Sequence, residues 1–162
     1  MGRVVTADDL DEIVAELKAR GQRISFANGH FDLLHVGHLR YLASAKETGQ
    51  TLIVGINGDD SVAKLKGEGR PLVPSEERAE LVAALEPVDY AVVFEEDSPA
   101  ALLSRLEPDV HCKGTDYGTP ERVPEYETVR AYGGTTALVG DPKSHSTRSL
   151  IQKLKELEPS RR

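Results

Sequence analysis

The sequence predicts an α/β domain in which helices cover both faces of a mainly parallel, five-stranded sheet. Short runs rich in apolar and β-branched residues alternate along the chain with segments whose apolar residues recur at helical spacing. The run TLIVGIN is β-rich and apolar, which is typical of a central strand buried on both faces. Regular alternation of strand and helix favours parallel strands joined by crossover helices. Together these observations indicate a three-layer α/β/α architecture of the Rossmann-like type.

The first half of the chain contains two expected strands separated by helices. Thr6 suits a helix N-cap, acidic residues follow it in the first turn, and Gly21 ends the segment. Gly49 ends the next helix, and the β-rich run TLIVGIN is expected to form a central strand. The expected order is helix 6–21, strand 23–29, helix 36–48, strand 51–57, and then a short helix and a loop within 59–75.

The second half continues the same alternation. Ser75 is expected to start a helix whose first turn carries Glu76 and Glu77, and Ser98 to cap a helix that has Pro99 at its first position. The strands are expected at 90–94, 109–114 and 135–140, with helices at 75–86 and 99–107, within 123–134, and at 146–157.

Length and organisation indicate one domain. The 162 residues suit a single core, and the sequence shows no linker, repeat or low-complexity tract. We therefore expect a single domain over 1–162, with an N-terminal helix in 1–21 and a core over 22–154.

Composition excludes several classes of function. A net charge of −7 gives no broad basic surface for nucleic acid. No apolar run approaches the roughly 20 residues that a membrane span needs, and the first residues lack a signal-peptide core. The single cysteine, Cys112, suits a reducing compartment, so we expect a cytoplasmic protein without a membrane partner. An anionic ligand would have to be bound by locally placed cations and backbone amides.

Polar and glycine-rich residues gather where the expected strands end. They are Asn28-Gly29-His30, Asn57-Gly58, Lys113-Gly114 and Gly140-Asp141. In open parallel sheets, ligands bind outside the carboxyl ends of the strands, near the point where the strand order reverses. The sequence therefore predicts a binding site at this edge of the sheet.

A histidine pair after the first of these strands indicates the chemistry. His35 and His38 are three residues apart, so both imidazoles project to one side of a helical turn. Gly29 and Gly37 would allow close approach of a ligand, and a helix N-terminus favours phosphate. The pair could stabilise charge that develops during phosphoryl or nucleotidyl transfer. The alternative is that His35 caps a helix and His38 is solvated; a zinc site is disfavoured because no partner has suitable spacing.

The run GHFDLLHVGH resembles the G-x-F-D-x-x-H-x-G-H element of the nucleotidyltransferase superfamily, which contains cytidylyltransferases and adenylyltransferases. The following segments are most similar to the adenylyltransferase domain of ADP-heptose synthases. They comprise a K-G-x-G-R-P loop, an E-x-R-A helix, a V-D strand and a K-G-x-D-Y element, in that order. The resemblance extends from about Gln22 to Leu154.

The resemblance implies a mechanism. A sugar phosphate oxygen attacks the α-phosphorus of a nucleoside triphosphate in line, and pyrophosphate leaves. His35, His38 and Lys66 would be the catalytic residues, although a solvated loop lysine is the common alternative for Lys66. Mg²⁺, held mainly through the nucleotide phosphates, would neutralise the leaving pyrophosphate. Protein ligands for the metal are not identified.

The resemblance also assigns binding residues. Substrate contact falls to Asp32 and Lys66. Arg78 could equally form surface pairs with glutamates, and the Ser-Thr pair before the last helix could simply cap it. The implied nucleotide-binding residues are Asn28, Gly29, His30, Phe31, Gly37, Arg78, Lys113, Gly114, Asp116, Ser146, Thr147 and Arg148.

Several positions depart from the family pattern. His30 stands where the heptose adenylyltransferases usually have cysteine, and Thr115 where they have glycine. Lys143 and His145 are additions near the expected phosphate site. Glu86-Pro87 replaces an arginine that contacts cytosine in some cytidylyltransferases, which favours ATP over CTP.

The expected function is transfer of AMP from ATP to a sugar 1-phosphate, with heptose 1-phosphate as the acceptor that the resemblance implies. The alternatives are a cytidylyltransferase acting on glycerol 3-phosphate or a similar alcohol phosphate, and a non-catalytic nucleotide-binding module. Family habit also implies a homodimer.

Overall fold

The computed structural model describes residues 1–158, in which six strands alternate with seven helices. Two short 3₁₀ turns, Thr115–Tyr117 and Pro120–Arg122, follow the fifth strand. The strands are β1 (Arg3–Val4), β2 (Ile24–Gly29), β3 (Thr51–Asn57), β4 (Tyr90–Phe94), β5 (Val110–Gly114) and β6 (Thr135–Val139). The helices are α1 (Ala7–Ala19), α2 (Val36–Lys46), α3 (Asp59–Lys66), α4 (Ser75–Ala83), α5 (Ala100–Leu106), α6 (Tyr126–Ala131) and α7 (Thr147–Leu157).

All neighbouring strands of the sheet are parallel, and their order is β1-β4-β3-β2-β5-β6. The chain moves outward from β2 to β3 and β4 in one direction, then crosses back to β5 and moves outward to β6 in the other. The strand order therefore reverses between β2 and β5. A ligand crevice is expected beyond the carboxyl ends of these two strands.

Two apolar cores give the three layers that the sequence predicts. On one face, residues of α2 and α4 such as Leu42 and Val82 pack with the sheet. On the other face, Leu10 of α1, Leu103 of α5 and Val129 of α6 form the second core. Both faces of the central strand β3 are thus covered, which explains why its sequence is apolar throughout.

The first strand corrects the predicted five-stranded sheet. Arg3 and Val4 pair in parallel with Tyr90 and Ala91 at one edge. Two residues are too few to show a hydrophobic period, so the sequence pattern contained no signal for β1. Because β1 belongs to the sheet and α1 to its core, residues 1–21 are an integral part of the domain and not an added helix.

The observed helix ends confirm some of the predicted helix caps. Thr6 and Asp9 form a reciprocal capping box at α1, with both bonds at 3.1 Å. Ser98 accepts the N–H of Ala100 at 3.2 Å, but α5 begins at Ala100, so Pro99 lies one position before the helix. Within residues 1–158, no helix is both long enough and apolar enough to cross a bilayer.

A histidine is buried at the reversal point of the sheet. His111 of β5 is 0% exposed, and its Nε2 lies 2.8 Å from Oδ1 of Asn28 in β2. Because the amide oxygen only accepts, the ring proton is on Nε2. Burial, assisted by the charge of Lys113, lowers the pKa of His111 to about 3.

We predict that His111→Gln flattens the pH dependence of stability. The folded wild type keeps His111 neutral down to about pH 3, whereas the unfolded chain protonates it below its ordinary pKa of 6.5. Stability is therefore lost as pH falls through 6.5, by about 1.4 kcal/mol from this residue at pH 5.5. Urea unfolding at pH 7.5 and 5.5 measures both proteins. Equal losses of unfolding free energy in the variant and the wild type would contradict the assignment.

Candidate active site

The turn from β2 into α2 lies at the crevice that the sheet topology defines. His35 is the N-cap of α2, and its backbone N–H donates to Nδ1 of His38 at 3.3 Å. The two imidazoles stack, with ring centroids 3.8 Å apart and planes 23° from parallel. A backbone N–H can only donate, so Nδ1 of His38 is an acceptor and the proton of the neutral ring is on Nε2. His38 thus has a single N–H available for a ligand.

Both histidines of this pair are neutral near pH 7. Burial, followed by the charges of His35 and Lys143, lowers the pKa of His38 to about 4. Burial also lowers the pKa of His35, and His145 and Lys143 add to the effect. The Nδ1 of His35 is buried and lacks a hydrogen-bond partner among the described residues.

The two glycines of the turn leave space for neighbouring aromatic rings. A Cβ on Gly29 would lie 3.1 Å from the ring of Phe31, and a Cβ on Gly37 would lie 2.9 Å from Nδ1 of His35. Phe31 itself adopts a left-handed conformation with φ of 50°, which is uncommon outside glycine. Its ring lies 5.2 Å from that of His38. Both glycines thus leave space for the rings of Phe31 and His35, and close approach of a ligand to their backbone stays a prediction.

Asp32 holds the loop that follows α3. Its side chain is only 3% exposed, and it accepts the Nε–H of Arg70 at 2.7 Å and the N–H groups of Leu72 and Val73 at 2.8 and 2.9 Å. Burial alone would raise the pKa of Asp32, but the two N–H groups and Arg70 outweigh it and hold the pKa below its usual value. The predicted substrate contact by Asp32 is corrected to a positioning role, because its oxygens are already bonded.

Arg78 is also a buried structural residue and does not lie on the surface. It is 0% exposed and donates to the carbonyl oxygens of Val73 at 2.8 Å and His30 at 2.6 Å, and to Asp59 at 2.8 Å. This burial leaves its guanidinium no surface for a nucleotide, so the predicted nucleotide contact is corrected. Arg78 fixes the backbone of His30 from beneath.

His30 and Asn28 occupy the end of β2. Burial is the largest cause that lowers the pKa of His30 to about 4, followed by the charges of Lys66 and Arg78. His30 is therefore a neutral ring surrounded by cations. The side chain of Asn28 is buried and bonded to His111, so only its backbone can face the crevice.

Cations from distant segments converge on this region. Lys66, the last residue of α3, has its pKa lowered by burial and then by Arg148, Arg70 and Lys143. The positive charges of these residues are thus close enough to Lys66 to disfavour its protonated form. The chain as a whole carries a net charge of −7. These cations provide local positive charge in a chain that is acidic as a whole.

The end of β5 contributes a further lysine. Lys113 is half-buried, and its ammonium lies 5.5 Å from the centroid of the Tyr117 ring. Burial lowers its pKa, although Glu125 and Asp116 act in the opposite direction. A Cβ on Gly114 would lie 2.7 Å from Oδ1 of Asp116, so this glycine lets the Asp116 side chain fold back over the strand end.

The start of α7 lies beside the β2–α2 turn. Ser146 caps the helix by accepting the N–H of Ser149 at 3.0 Å, which confirms the simple capping interpretation. The hydroxyl of Thr147 donates to the carbonyl oxygen of Leu33 at 3.0 Å. Arg148 is exposed, and its charge acts on Lys66.

The structure adds one residue that the sequence assignment omitted. Arg70 connects Asp32 to the cation cluster, and its charge also lowers the pKa of His30. The sequence signal for Arg70 was its position in the K-G-x-G-R-P loop. Its buried partner, Asp32, is 38 positions away along the chain, so no local sequence pattern reveals the pair. Among residues 1–158, no group of three or more acidic, histidine or cysteine side chains could hold a metal ion.

The sheet order and the crevice define this chain as a Rossmann-like α/β/α domain. A family model described as Cytidylyltransferase-like matches residues 26–156. The chain therefore belongs to the cytidylyltransferase-like family, and it is a nucleotidyltransferase.

Sequence relatives are longer proteins. The chain is 46% identical over 154 residues to the bifunctional protein HldE of Pelobacter propionicus and 48% identical over 153 residues to that of Geotalea uraniireducens. These matches cover 95% and 94% of this chain but 31% of each relative, so the chain spans about a third of their length.

Solved structures share the fold. A lipopolysaccharide core biosynthesis protein from Thermoplasma volcanium is 26% identical, with a TM-score of 0.63 over 75% of this chain and all of that one. Pantoate-beta-alanine ligase from Francisella tularensis is 15% identical, with a TM-score of 0.66 over 93% of this chain and 73% of that one. The second likeness concerns the fold alone.

We predict that Asp32→Asn destabilises the protein by about 3 kcal/mol, because it breaks a buried ion pair and turns an amide N–H toward backbone donors. Urea unfolding measures the change. Asp97→Asn is the matched control: it breaks the exposed Lys64–Asp97 pair of 3.1 Å and should cost no more than about 0.5 kcal/mol. Equal effects of the two substitutions would contradict the positioning role of Asp32.

Proposed function

We propose that this nucleotidyltransferase transfers AMP from ATP to a sugar 1-phosphate, with heptose 1-phosphate as the acceptor, and releases pyrophosphate. The observation that carries the proposal is the stacked pair of neutral imidazoles, His35 and His38, at the strand-order reversal. The motif order along the chain and the 44–48% identity to several HldE proteins support the adenylyl and heptose assignments.

The geometry supports direct transfer without a covalent enzyme intermediate. The acceptor phosphate oxygen bonds to the α-phosphorus while the bond from that phosphorus to the bridging oxygen breaks, and the electron pair leaves with pyrophosphate. Nε2–H of His38 donates to the α-phosphate, where negative charge spreads in the transition state. Cys112 is buried and burial raises its pKa to about 11, so it is unsuited to act as a nucleophile.

Lys66 and the cations near it bind the two phosphorylated substrates. Their mutual repulsion is relieved when phosphates enter, so binding energy and charge neutralisation act together. As the resemblance implies, we assign Mg²⁺ mainly to the nucleotide phosphates and propose no protein ligand for it.

A substrate panel tests the proposal. Pyrophosphate release is measured with ATP, CTP, GTP and UTP, each against heptose 1-phosphate, other sugar 1-phosphates and glycerol 3-phosphate. We expect the highest kcat/KM with ATP and heptose 1-phosphate. Turnover with CTP and glycerol 3-phosphate alone would overturn the substrate assignment, and absence of turnover with every pair would favour a binding module.

The variant His38→Asn tests the proposed role of His38 in the same assay. The shorter amide can still accept the N–H of His35, but it has no donor at the position of Nε2. We expect kcat to fall by about 10²–10³ with little change in melting temperature. An unchanged kcat would remove His38 from the mechanism.

A further inference from the structure

The segment between β6 and α7, residues 140–146, is anchored at both ends. Asp141 pairs with Arg40 of α2 at 2.9 Å, and its carbonyl oxygen accepts the hydroxyl of Thr115 at 3.1 Å. At the other end, Thr147 donates to Leu33. These contacts join the segment to the β2–α2 turn and to the end of β5, so its intervening residues lie across the crevice.

His145 lies beside the histidine pair. Its Cβ is 3.4 Å from the position that a Cβ on Gly37 would take, and its ring centroid is 6.4 Å from that of His35. The side chain is exposed, whereas Nδ1 of His35 is buried and lacks a partner among the described residues. A ligand atom between the two rings would therefore meet an inner imidazole and an outer one.

Lys143 of the same segment contacts the turn that follows β5. It pairs with Asp116 at 3.3 Å, and both side chains are exposed. An exposed pair of this kind contributes little free energy, so a more highly charged anion can displace Asp116 at small cost. The charge of Lys143 also contributes, after burial and other charges, to the lowered pKa of His35, His38, Lys66 and Lys113.

We propose that Lys143 and His145 bind the distal phosphates of the nucleotide and stabilise pyrophosphate as it leaves. His38 is half-buried beside His35, whereas Lys143 and His145 are exposed. A triphosphate whose α-phosphate meets His38 must extend outward toward these two residues. Lys143 then exchanges Asp116 for the β- or γ-phosphate, and His145 completes a set of three imidazoles.

This inference rests on the proposed function, since it requires a nucleoside triphosphate as substrate. It assigns the two residues to the leaving group: as the bond between the α-phosphorus and the bridging oxygen breaks, the added charge falls on the pyrophosphate that they contact. Neither residue exchanges a proton or electron with the substrate.

Calorimetric titration of Lys143→Met and His145→Asn with ATP, pyrophosphate and AMP tests the assignment. Each variant loses one distal contact, so we expect ATP and pyrophosphate to bind about tenfold more weakly. AMP lacks the distal phosphates, so its affinity should stay within about twofold of the wild type. Lys153→Met, an exposed lysine on α7, is the matched control and should change none of the three affinities.

Two results would overturn the inference: equal weakening of ATP and AMP in the variants, or unchanged ATP and pyrophosphate affinity. Its failure is separable from that of the proposed function. If the wild type uses CTP, the same titration with CTP, pyrophosphate and CMP tests the distal contacts while the adenylyl assignment falls.

Discussion

The hydrogen bond from the backbone N–H of His35 to Nδ1 of His38 is the interaction on which the site depends. It closes the first turn of α2, fixes the tautomer of His38 and leaves one ring N–H free. It also brings the two imidazoles into a stack, which opposes protonation of both. Gly37 is required because the ring of His35 occupies the space of a Cβ. The motif spacing of the histidines and glycine is thus explained by one local geometry.

Charged side chains around the β2–α2 turn hold its backbone and surround its histidines. The buried side chains of Asp32 and Arg78 hold the 67–74 loop and the backbone of His30, and they pair with Arg70 and Asp59. The lysines and Arg148 are left with their charges facing the crevice, although the chain as a whole is acidic. The neutral histidines can donate to an anion without adding to the repulsion among these cations.

The sequence predicted the features that have a local pattern. Short runs rich in apolar and β-branched residues predicted β2 to β6. The predicted strand ends placed the candidate site, because parallel strands bring their carboxyl ends to one edge. No local sequence pattern predicts the burial of a charged side chain. Asp32 and Arg78 were therefore predicted to be surface or ligand-binding residues, because their partners come from other segments of the chain. The two-residue strand β1 was missed because it is shorter than one hydrophobic period. The roles of Gly29 and Gly37 required the positions of neighbouring rings, which spacing alone does not give.

We propose that phosphate binds at the β2–α2 turn and that His38 contacts it as a neutral Nε2–H donor. Long-range ¹H–¹⁵N correlation of the histidine side chains, recorded at pH 7.5 with and without ATP, tests both parts of this proposal. In the free protein we expect a neutral Nε2–H tautomer for His38. On adding ATP we expect shifts at His35, His38 and His145, with the tautomer of His111 unchanged. A protonated or Nδ1–H His38 in the free protein, or ATP-induced shifts that spare His35 and His38, would show that the turn is not the phosphate site.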